Sequence, residues 1–238
     1  MRTDGNAGSV RNKESIRVYL HRVIVVETGL LFRETASLVR RRRRTWWLLI
    51  AAGAVLSLAC IPVDHAVMRW FKEIRTDRLY HVAGNLRRWG SFNDTLVFSF
   101  LIMVVGMVLG RRRWRRAALA CFLAAALAGL SVNVVRFSAG RPRPKVEEVR
   151  DGFYGPTFEY RMQSFPSGHC CASYANATAL AVAIPGLALP VFASATAVAW
   201  ASLYQLSHYP TDVVFGGAWG VVFGLVFGLA ARKRDDTD

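Results

Sequence analysis

Two residues late in the chain have the types and the spacing of a reacting base and the acid that orients it. His208 and Asp212 are four positions apart, so they share one helical face if the first turn is helical, and Pro210 is tolerated that early in a helix. A carboxylate that accepts from one imidazole nitrogen fixes the tautomer and leaves the other nitrogen free for attack. The spacing therefore predicts a nucleophilic histidine, with a hydrogen-bonded interfacial histidine as the alternative.

A second polar cluster, residues 164–169, opens an apolar run. Pro166 precedes a predicted helix start, so the amides of Ser167, Gly168 and His169 are expected to be unpaired first-turn donors that can bind an anion. Gly168 lets the backbone approach such a ligand closely. An ordinary helix cap is the alternative explanation of this tripeptide.

A third cluster, residues 136–144, places three arginines among prolines that stiffen the backbone. Arg136, Arg141 and Arg143 present planar forks of donors, which suit phosphate oxygens. Arginines that reach from an apolar run toward an interface would give the same pattern. A phosphate-binding site and an interfacial anchor both remain open from this cluster alone.

The elements that must position these clusters are transmembrane helices. About 20 apolar residues cross a hydrocarbon core of about 30 Å. Runs of this order, bounded by charges, proline or glycine, occur at residues 45–64, 92–110, 117–135, 170–184 (extending toward 189), 190–206 and 213–231. The sequence therefore predicts an all-α, integral-membrane six-helix bundle.

The composition excludes several other classes of protein. The chain has 238 residues, a net charge of +15 and 12% aromatic residues, and its apolar runs are too long for an ordinary soluble core or for a disordered chain. Four scattered cysteines do not indicate a disulfide scaffold. Much of the positive charge borders the apolar runs, which favours a membrane surface and not nucleic acid as its partner.

The distribution of basic residues predicts the orientation. An even number of spans puts both termini on one side, and that side holds 19 of the 31 Lys and Arg residues. The bias of basic residues toward the cytoplasm places both termini inside and all three polar clusters at the outer face. The predicted organisation is a basic and amphipathic cytoplasmic segment (1–44), a six-span domain (45–231) and a cytoplasmic tail (232–238).

Taken together, the three clusters resemble the type 2 phosphatidic acid phosphatase family. Its members carry the motifs Lys-x6-Arg-Pro, Pro-Ser-Gly-His and Ser-Arg-x5-His-x3-Asp. The residues that match are Arg143 and Pro144; Pro166, Ser167, Gly168 and His169; and His208 and Asp212. Arg136 takes the place of the motif lysine. Ala201 and Ser202 occupy the Ser-Arg positions of the third motif, so its phosphate-binding arginine is missing, and Arg141 or another basic residue would have to replace it.

The resemblance implies a metal-independent mechanism with no cofactor. His208 would form a phosphohistidine, Asp212 would stabilise the charged ring, and His169 would protonate the leaving oxygen and then activate water. Arg136, Arg143, Ser167 and Gly168 would bind the phosphate. The implied enzyme is an integral-membrane lipid phosphatase that removes a phosphate monoester or pyrophosphate from a lipid head group at the outer, extracytoplasmic face.

The choice of substrate and some alternatives stay open. The resemblance implies phosphatidic acid, phosphatidylglycerol phosphate, undecaprenyl pyrophosphate or lipid A as substrates. A lipid phosphotransferase and a non-catalytic lipid-binding membrane protein are the alternative functions. The partners are membrane lipids and not nucleic acid, and the oligomeric state is unknown. The excess of arginine, 27 residues against 4 lysines, suggests a GC-rich bacterial genome and therefore a plasma or inner membrane.

Overall fold

The structure is a computed structural model that describes Val18 and residues 21–233. Most of the basic stretch before residue 21, and residues 234–238 of the expected tail, lie outside the described residues. Within residues 21–233 the chain forms helices and loops with no strand, as the prediction of an all-α fold requires.

Nine α-helices follow one another in the described part of the chain, the first extended by a π-helical turn over Arg22–Val26. Their bounds are α1 Glu27–Arg41, α2 Arg43–Ala59, α3 Asp64–Glu73, α4 Asp77–Arg88, α5 Phe92–Val108, α6 Arg112–Ala139, α7 Gly168–Ala183, α8 Ala188–Tyr204 and α9 Pro210–Lys233.

Each of the six predicted apolar runs overlaps one helix, namely α2 and α5 to α9. By length and apolarity, four helical stretches of the described chain could cross a membrane, or five if α4 and α5, which are bent by 57°, count together. Helix α7 has 16 residues and is therefore about 24 Å long, shorter than the hydrocarbon core. The number of six spans stays a prediction.

The distribution of side chains is that of a bundle whose solvent is lipid. Small residues fill the centre, where six of the ten buried residues of α6 are alanine and the helix packs against α7 and α9. Large apolar side chains point outward from the peripheral helices, with Leu48 of α2 70% exposed and Val108 of α5 79% exposed. Helices in lipid pack through small residues because exposing leucine and valine to acyl chains costs little.

A glycine at every fourth position of α9 faces α7. A Cβ atom at Gly216 would lie 2.3 Å from the Ser167 carbonyl oxygen, and one at Gly220 would lie 2.2 Å from the Cys171 carbonyl oxygen. Gly224 and Gly228 approach the same helix farther along. These glycines let two backbones touch, so the stripe that the sequence shows serves packing within the chain, and it sets the start of α7 against the start of α9.

At the opposite end of the bundle, α1 packs on the other helices instead of lying apart in the interface. Leu31 is buried in the central core, and the Phe32 ring packs edge-on against Phe227 of α9. Arg116 of α6 is 1% exposed and forms ion pairs with Glu27 and Glu34 of α1. The same guanidinium donates to carbonyl oxygens at the end of α9. One arginine therefore ties three helices together at this end.

The stretch between α2 and α5 forms α3 and α4. These two helices are amphipathic and cover the C-terminal end of α8. Met68, Phe71 and Ala83 are buried there against Tyr204, whose hydroxyl accepts a hydrogen bond from the Thr76 amide at 2.9 Å. Helices α3 and α4 thus form a cover beside the loops that carry the polar clusters.

Candidate active site

The structure brings the three polar clusters together at one end of the bundle. The Ser167 amide donates to the Asp212 carbonyl oxygen at 3.0 Å, and the Ser164 amide donates to the Arg141 carbonyl oxygen at 2.9 Å. The Arg143 guanidinium donates to the Ser207 carbonyl oxygen at 3.3 Å. The end of α6, the start of α7 and the turn before α9 therefore form a single site.

His208 is buried in the turn that precedes α9, so it does not belong to the first helical turn. Its Nδ1 atom lies 2.7 Å from the Ser164 carbonyl oxygen. Because a carbonyl oxygen only accepts hydrogen bonds, Nδ1 carries a proton. In the neutral ring Nε2 then holds a free lone pair, which is the state that a nucleophile needs.

Asp212 does not orient this ring by a direct hydrogen bond, contrary to the expectation from sequence. Its Oδ2 atom lies 3.9 Å from His208 Nδ1, beyond hydrogen-bonding distance. It accepts instead from the Ser164 hydroxyl and from the Tyr209 amide, the latter at 2.7 Å. Asp212 therefore holds Tyr209, the residue after His208, and Ser164, whose carbonyl group sets the tautomer of the His208 ring.

Burial and nearby charges keep the His208 ring neutral. Burial is the main cause that lowers the pKa of His208 well below its ordinary value, and the positive charges of Arg143, Arg87 and Arg136 lower it further. The His208 imidazole therefore has the neutral state that a nucleophile requires.

Arg141 is occupied by carboxylates and so does not replace the missing third-motif arginine. Its Nη1 atom donates to Asp212 at 2.7 Å, its Nη2 atom to Asp64 at 2.8 Å and its Nε atom to Asp151 at 2.8 Å. Burial opposes the charged form of Arg141, but the hydrogen bond to Asp151 and the charge of Asp212 outweigh it and raise the pKa of Arg141. Its role is to hold the site together.

Asp64, at the start of α3, is a residue that the sequence analysis missed. It is 1% exposed and accepts from the Thr211 amide at 2.9 Å and from the Thr211 hydroxyl at 2.7 Å, in addition to Arg141. It therefore fixes the first turn of α9. The sequence signal was an acidic residue at the very end of an apolar run.

Arg136 and Arg143 are held by neutral groups. The Arg136 guanidinium donates to the Pro166 carbonyl oxygen through Nε at 3.3 Å and Nη2 at 3.1 Å. Arg143 donates to the Tyr160 carbonyl oxygen at 3.0 Å and lies over the Tyr160 ring at 4.0 Å. Among the ion pairs of residues 21–233, neither arginine has a carboxylate partner. Their positive charge is therefore available to an anion.

Ser167 caps α7, and Gly168 leaves space for the Arg136 guanidinium. The Ser167 hydroxyl accepts from the Cys170 amide, so it is a helix cap, and the Ser167 amide is already bonded to Asp212. Only the Gly168 and His169 amides of the predicted three are left as first-turn donors. A Cβ atom at Gly168 would lie 2.2 Å from Arg136 Nη2, so this position must be glycine for the guanidinium to occupy its place.

His169 lies in the first turn of α7, with its side chain partly buried. Gly90, in the turn after α4, packs directly against it, because a Cβ atom there would lie 2.7 Å from the His169 carbonyl oxygen and 3.1 Å from its Cβ. The cover formed by α3 and α4 therefore reaches the predicted general acid.

The two residues that depart from the third motif are buried in helix packing. Ala201 belongs to the cluster between α8 and the cover. The Ser202 hydroxyl donates to the Val198 carbonyl oxygen at 2.8 Å, within α8. Neither reaches the cationic site.

An apolar cavity of about 440 Å³ lies between α5, α7 and α8. Ser173 and Asn176, one and two turns after His169 on α7, line one wall, and Trp89 lies at the end nearest the cover. Most of the lining is apolar. Within the described residues, no three His, Cys, Asp or Glu side chains are grouped so that they could hold a metal ion.

The chain is similar to known proteins in sequence and in fold. The PAP2 superfamily matches residues 117–236, half of the chain. The lipid A 1-phosphatase of Rhizobium johnstonii is 30% identical over 114 residues, which are 47% of this chain and 47% of that protein. The chain thus matches about half the length of this curated relative.

Two solved structures share the fold. The transmembrane PAP2-type phosphatidylglycerolphosphate phosphatase of Bacillus subtilis superposes with a TM-score of 0.57 and 22% identity, covering 81% of this chain and 95% of that one. Aquifex aeolicus LpxE gives 0.51 and 19%, covering 69% and 94%. The fold is that of a multi-pass membrane protein. Since the matched region also contains Arg136, His169, His208 and Asp212 in one site, the chain belongs to the PAP2 superfamily.

Proposed function

We propose that the protein is a lipid phosphatase that hydrolyses a phosphate ester or anhydride on the head group of a membrane lipid. The observation that carries this proposal is the state of His208. It is a buried neutral imidazole with its proton held on Nδ1 by Ser164, and it lies among guanidinium groups that have no carboxylate partners. Phosphoryl transfer needs a nucleophile close to a group of cations that binds the phosphate.

The reaction in this proposal has two steps. His208 Nε2 attacks phosphorus in line, the bond between phosphorus and the leaving oxygen breaks, and His169 in its imidazolium form gives that oxygen a proton. Burial and the charge of Arg87 lower the pKa of His169 to about 3, so the negative charge of the bound substrate is needed to favour this protonated form. The product is a phosphohistidine, whose positive ring is stabilised by the Ser164 carbonyl group and the carboxylate of Asp212. Water then attacks phosphorus, His169 takes its proton, and orthophosphate leaves with His208 neutral again.

The cationic residues supply most of the rate acceleration. Negative charge spreads over the three equatorial oxygens in the transition state, and preorganised donors stabilise it. Arg136, Arg143 and the amides of Gly168 and His169 are the donors assigned to this task. Loss of one such donor in other enzymes costs about 2.7–4 kcal/mol of transition-state stabilisation.

The lipid nature of the substrate is supported by the apolar cavity beside α7. An acyl chain placed between α5 and α8 would bring a head group to the start of α7, where His169 and the arginines lie. The relatives are named for lipid A and for phosphatidylglycerol phosphate. These two lipids, with phosphatidic acid and undecaprenyl pyrophosphate, are the candidate substrates.

The orientation that we propose puts both termini in the cytoplasm and the site at the extracytoplasmic face of a bacterial plasma or inner membrane. The support is the excess of basic residues at the end of the bundle where α1 and Arg116 lie. Residues 45–231 then form the phosphatase domain between a cytoplasmic basic segment and a short cytoplasmic tail.

The experiment is release of orthophosphate by the purified full chain in detergent, with EDTA present, from each of the four candidate lipids. We expect one lipid to be preferred, and we expect His208→Gln to abolish release while it binds the same lipid. Full turnover by His208→Gln would refute the assignment of the nucleophile. Phosphate found on a second lipid, with no free orthophosphate, would show transfer instead of hydrolysis, and loss of release on chelation would contradict the metal-independent scheme.

A further inference from the structure

Arg87, at the end of α4, is a cation of the site that none of the three sequence motifs contains. Its Nη1 atom donates to the Gln205 Oε1 atom at 3.3 Å. Its Nε atom is buried and has no hydrogen-bond partner among the described residues. A buried N–H group of an arginine is seldom left unpaired, because the loss of its hydrogen bond to water is not repaid.

The position of Arg87 places it on the same site as the motif arginines. Arg143 covers the Tyr160 ring at 4.0 Å; burial opposes ionisation of the Tyr160 phenol, but the charges of Arg143 and Arg87 outweigh it and lower its pKa. Three residues farther along the chain from Arg87, Gly90 packs on His169. The end of α4 is therefore anchored to Gln205, just after α8, and to the start of α7.

The electrostatic effect of Arg87 agrees with this geometry. The positive charge of Arg87 lowers the pKa values of His208, Arg143 and Lys145, although burial is the larger cause for each. Like charges held this close repel one another, and no ion pair of the described residues joins Arg87 to a carboxylate. Such an arrangement is stabilised when an anion binds among the cations.

The environment of the third motif explains why the guanidinium comes from a different helix. Ser202 stands where the motif has arginine, and its hydroxyl is bonded within α8. Gln205, three residues later and just after the end of α8, instead holds Arg87. An amide oxygen can fix a guanidinium without neutralising it, so the charge of Arg87 is retained for a ligand.

We propose that Arg87 binds the phosphate group of the substrate and, with Arg136 and Arg143, provides the third guanidinium of the site in place of the absent third-motif arginine. This inference rests on the proposed phosphatase function. The three arginines come from three separate segments and surround a group with three equatorial oxygens. Gln205 is the positioning residue for Arg87.

A purely structural role for Arg87, as a link between α4 and α8, is the competing explanation. The test therefore uses a probe of the anion site that needs no turnover. Orthovanadate mimics the transferring phosphoryl group, and a ligand that binds only the folded protein raises its thermal midpoint. The thermal shift produced by orthovanadate is measured for the full-length detergent-solubilised protein and for Arg87→Gln, Arg87→Lys and Arg88→Gln. Arg88 is the exposed neighbour on α4 and is the matched control.

We expect Arg87→Gln to lose most of the vanadate shift and to lower kcat for phosphate release by on the order of 10²-fold, as removal of one transition-state donor does. Arg87→Lys should be intermediate, because lysine keeps the charge but not the fork. Arg88→Gln should behave as the wild type. A structural link alone would lower the midpoint of ligand-free Arg87→Gln and leave the vanadate affinity of the folded protein unchanged, which would overturn the proposal.

Two outcomes separate this inference from the proposed function. If the wild type binds vanadate but releases phosphate from none of the lipids, the phosphatase assignment fails while Arg87 is still tested by the shift. If the wild type releases phosphate and Arg87→Gln does so equally well, the role of Arg87 is refuted and the phosphatase assignment stands. Should Arg87→Gln not fold, a vanadate affinity of Arg87→Lys equal to that of Arg88→Gln would refute the role of Arg87 instead.

Discussion

Replacement of Gly168 by alanine tests whether the position of the Arg136 guanidinium matters to function. The new Cβ atom would lie 2.2 Å from Arg136 Nη2, whereas ordinary contact begins at about 3.4 Å. The guanidinium must therefore retreat by about 1.2 Å. Because Nη2 is the far end of a flexible side chain, the retreat is possible without a shift of the backbone.

The expected effect is a loss of activity without a loss of stability. A displacement of about 1 Å in a positioning group can cost about 10²-fold in rate, so kcat of Gly168→Ala should fall by roughly that factor. Gly168 begins α7, and alanine favours a helix over glycine by roughly 0.5–1 kcal/mol, which offsets part of any strain. The thermal midpoint should therefore stay near that of the wild type.

The assay compares phosphate release and thermal unfolding of Gly168→Ala with those of Gly129→Ala. Gly129 lies in α6 with nothing within 4 Å of a Cβ atom, so its substitution should leave kcat unchanged. Gly168→Ala with wild-type kcat would mean that the phosphate does not depend on the place of the Arg136 guanidinium. An equal fall in kcat for both variants would point to a general effect of alanine on the bundle.

Three further results are expected. Arg141→Met should lower the free energy of unfolding by about 3–5 kcal/mol, measured by chemical denaturation in detergent, because it leaves buried carboxylates unpaired; a loss below 1 kcal/mol would refute this role. Arg116→Met should destabilise by a similar amount but preserve kcat of the folded protein, because Arg116 lies about 30 Å from Arg136 along α6. The folded-state pKa of His208 lies below its unfolded value, so the stability contributed by the neutral ring is complete above pH about 6.5 and is lost as pH falls. Between pH about 6.5 and 4.5, His208→Gln should therefore lose less stability than the wild type. Thermal midpoints of the two proteins that fall in parallel with pH would contradict this.

Much of the fold could be predicted because it depends on composition along the chain. Apolar runs of membrane length became helices. The glycines at every fourth position of α9 are visible in the sequence, and small residues are what close packing of helices in lipid requires. The helices α3 and α4 were harder to predict. Their apolar and charged residues alternate over a range too short to separate an amphipathic cover from a surface connector.

The candidate site could be predicted in its residues but not in its connections. The motif spacings placed His208, Asp212 and the arginines at one face, and the structure brings them together. The acceptor for the His208 proton is the backbone carbonyl group of Ser164, which leaves no signal in side-chain types. Arg87 is far from every motif in sequence and reaches the site only because α4 folds back over α8.

The hydrogen bonds of Arg141 have a consequence for how the structure opens locally. One guanidinium holds Asp64 at the start of α3, Asp151 in the loop after α6 and Asp212 in α9. If any one of these segments detaches alone, Arg141 loses the hydrogen bonds to that segment's carboxylate, and the N–H groups that made them are left without a partner in a largely buried site. Amide hydrogen exchange should therefore report a single concerted opening for all three segments. His208 should not occur in a site from which only one of these segments has detached.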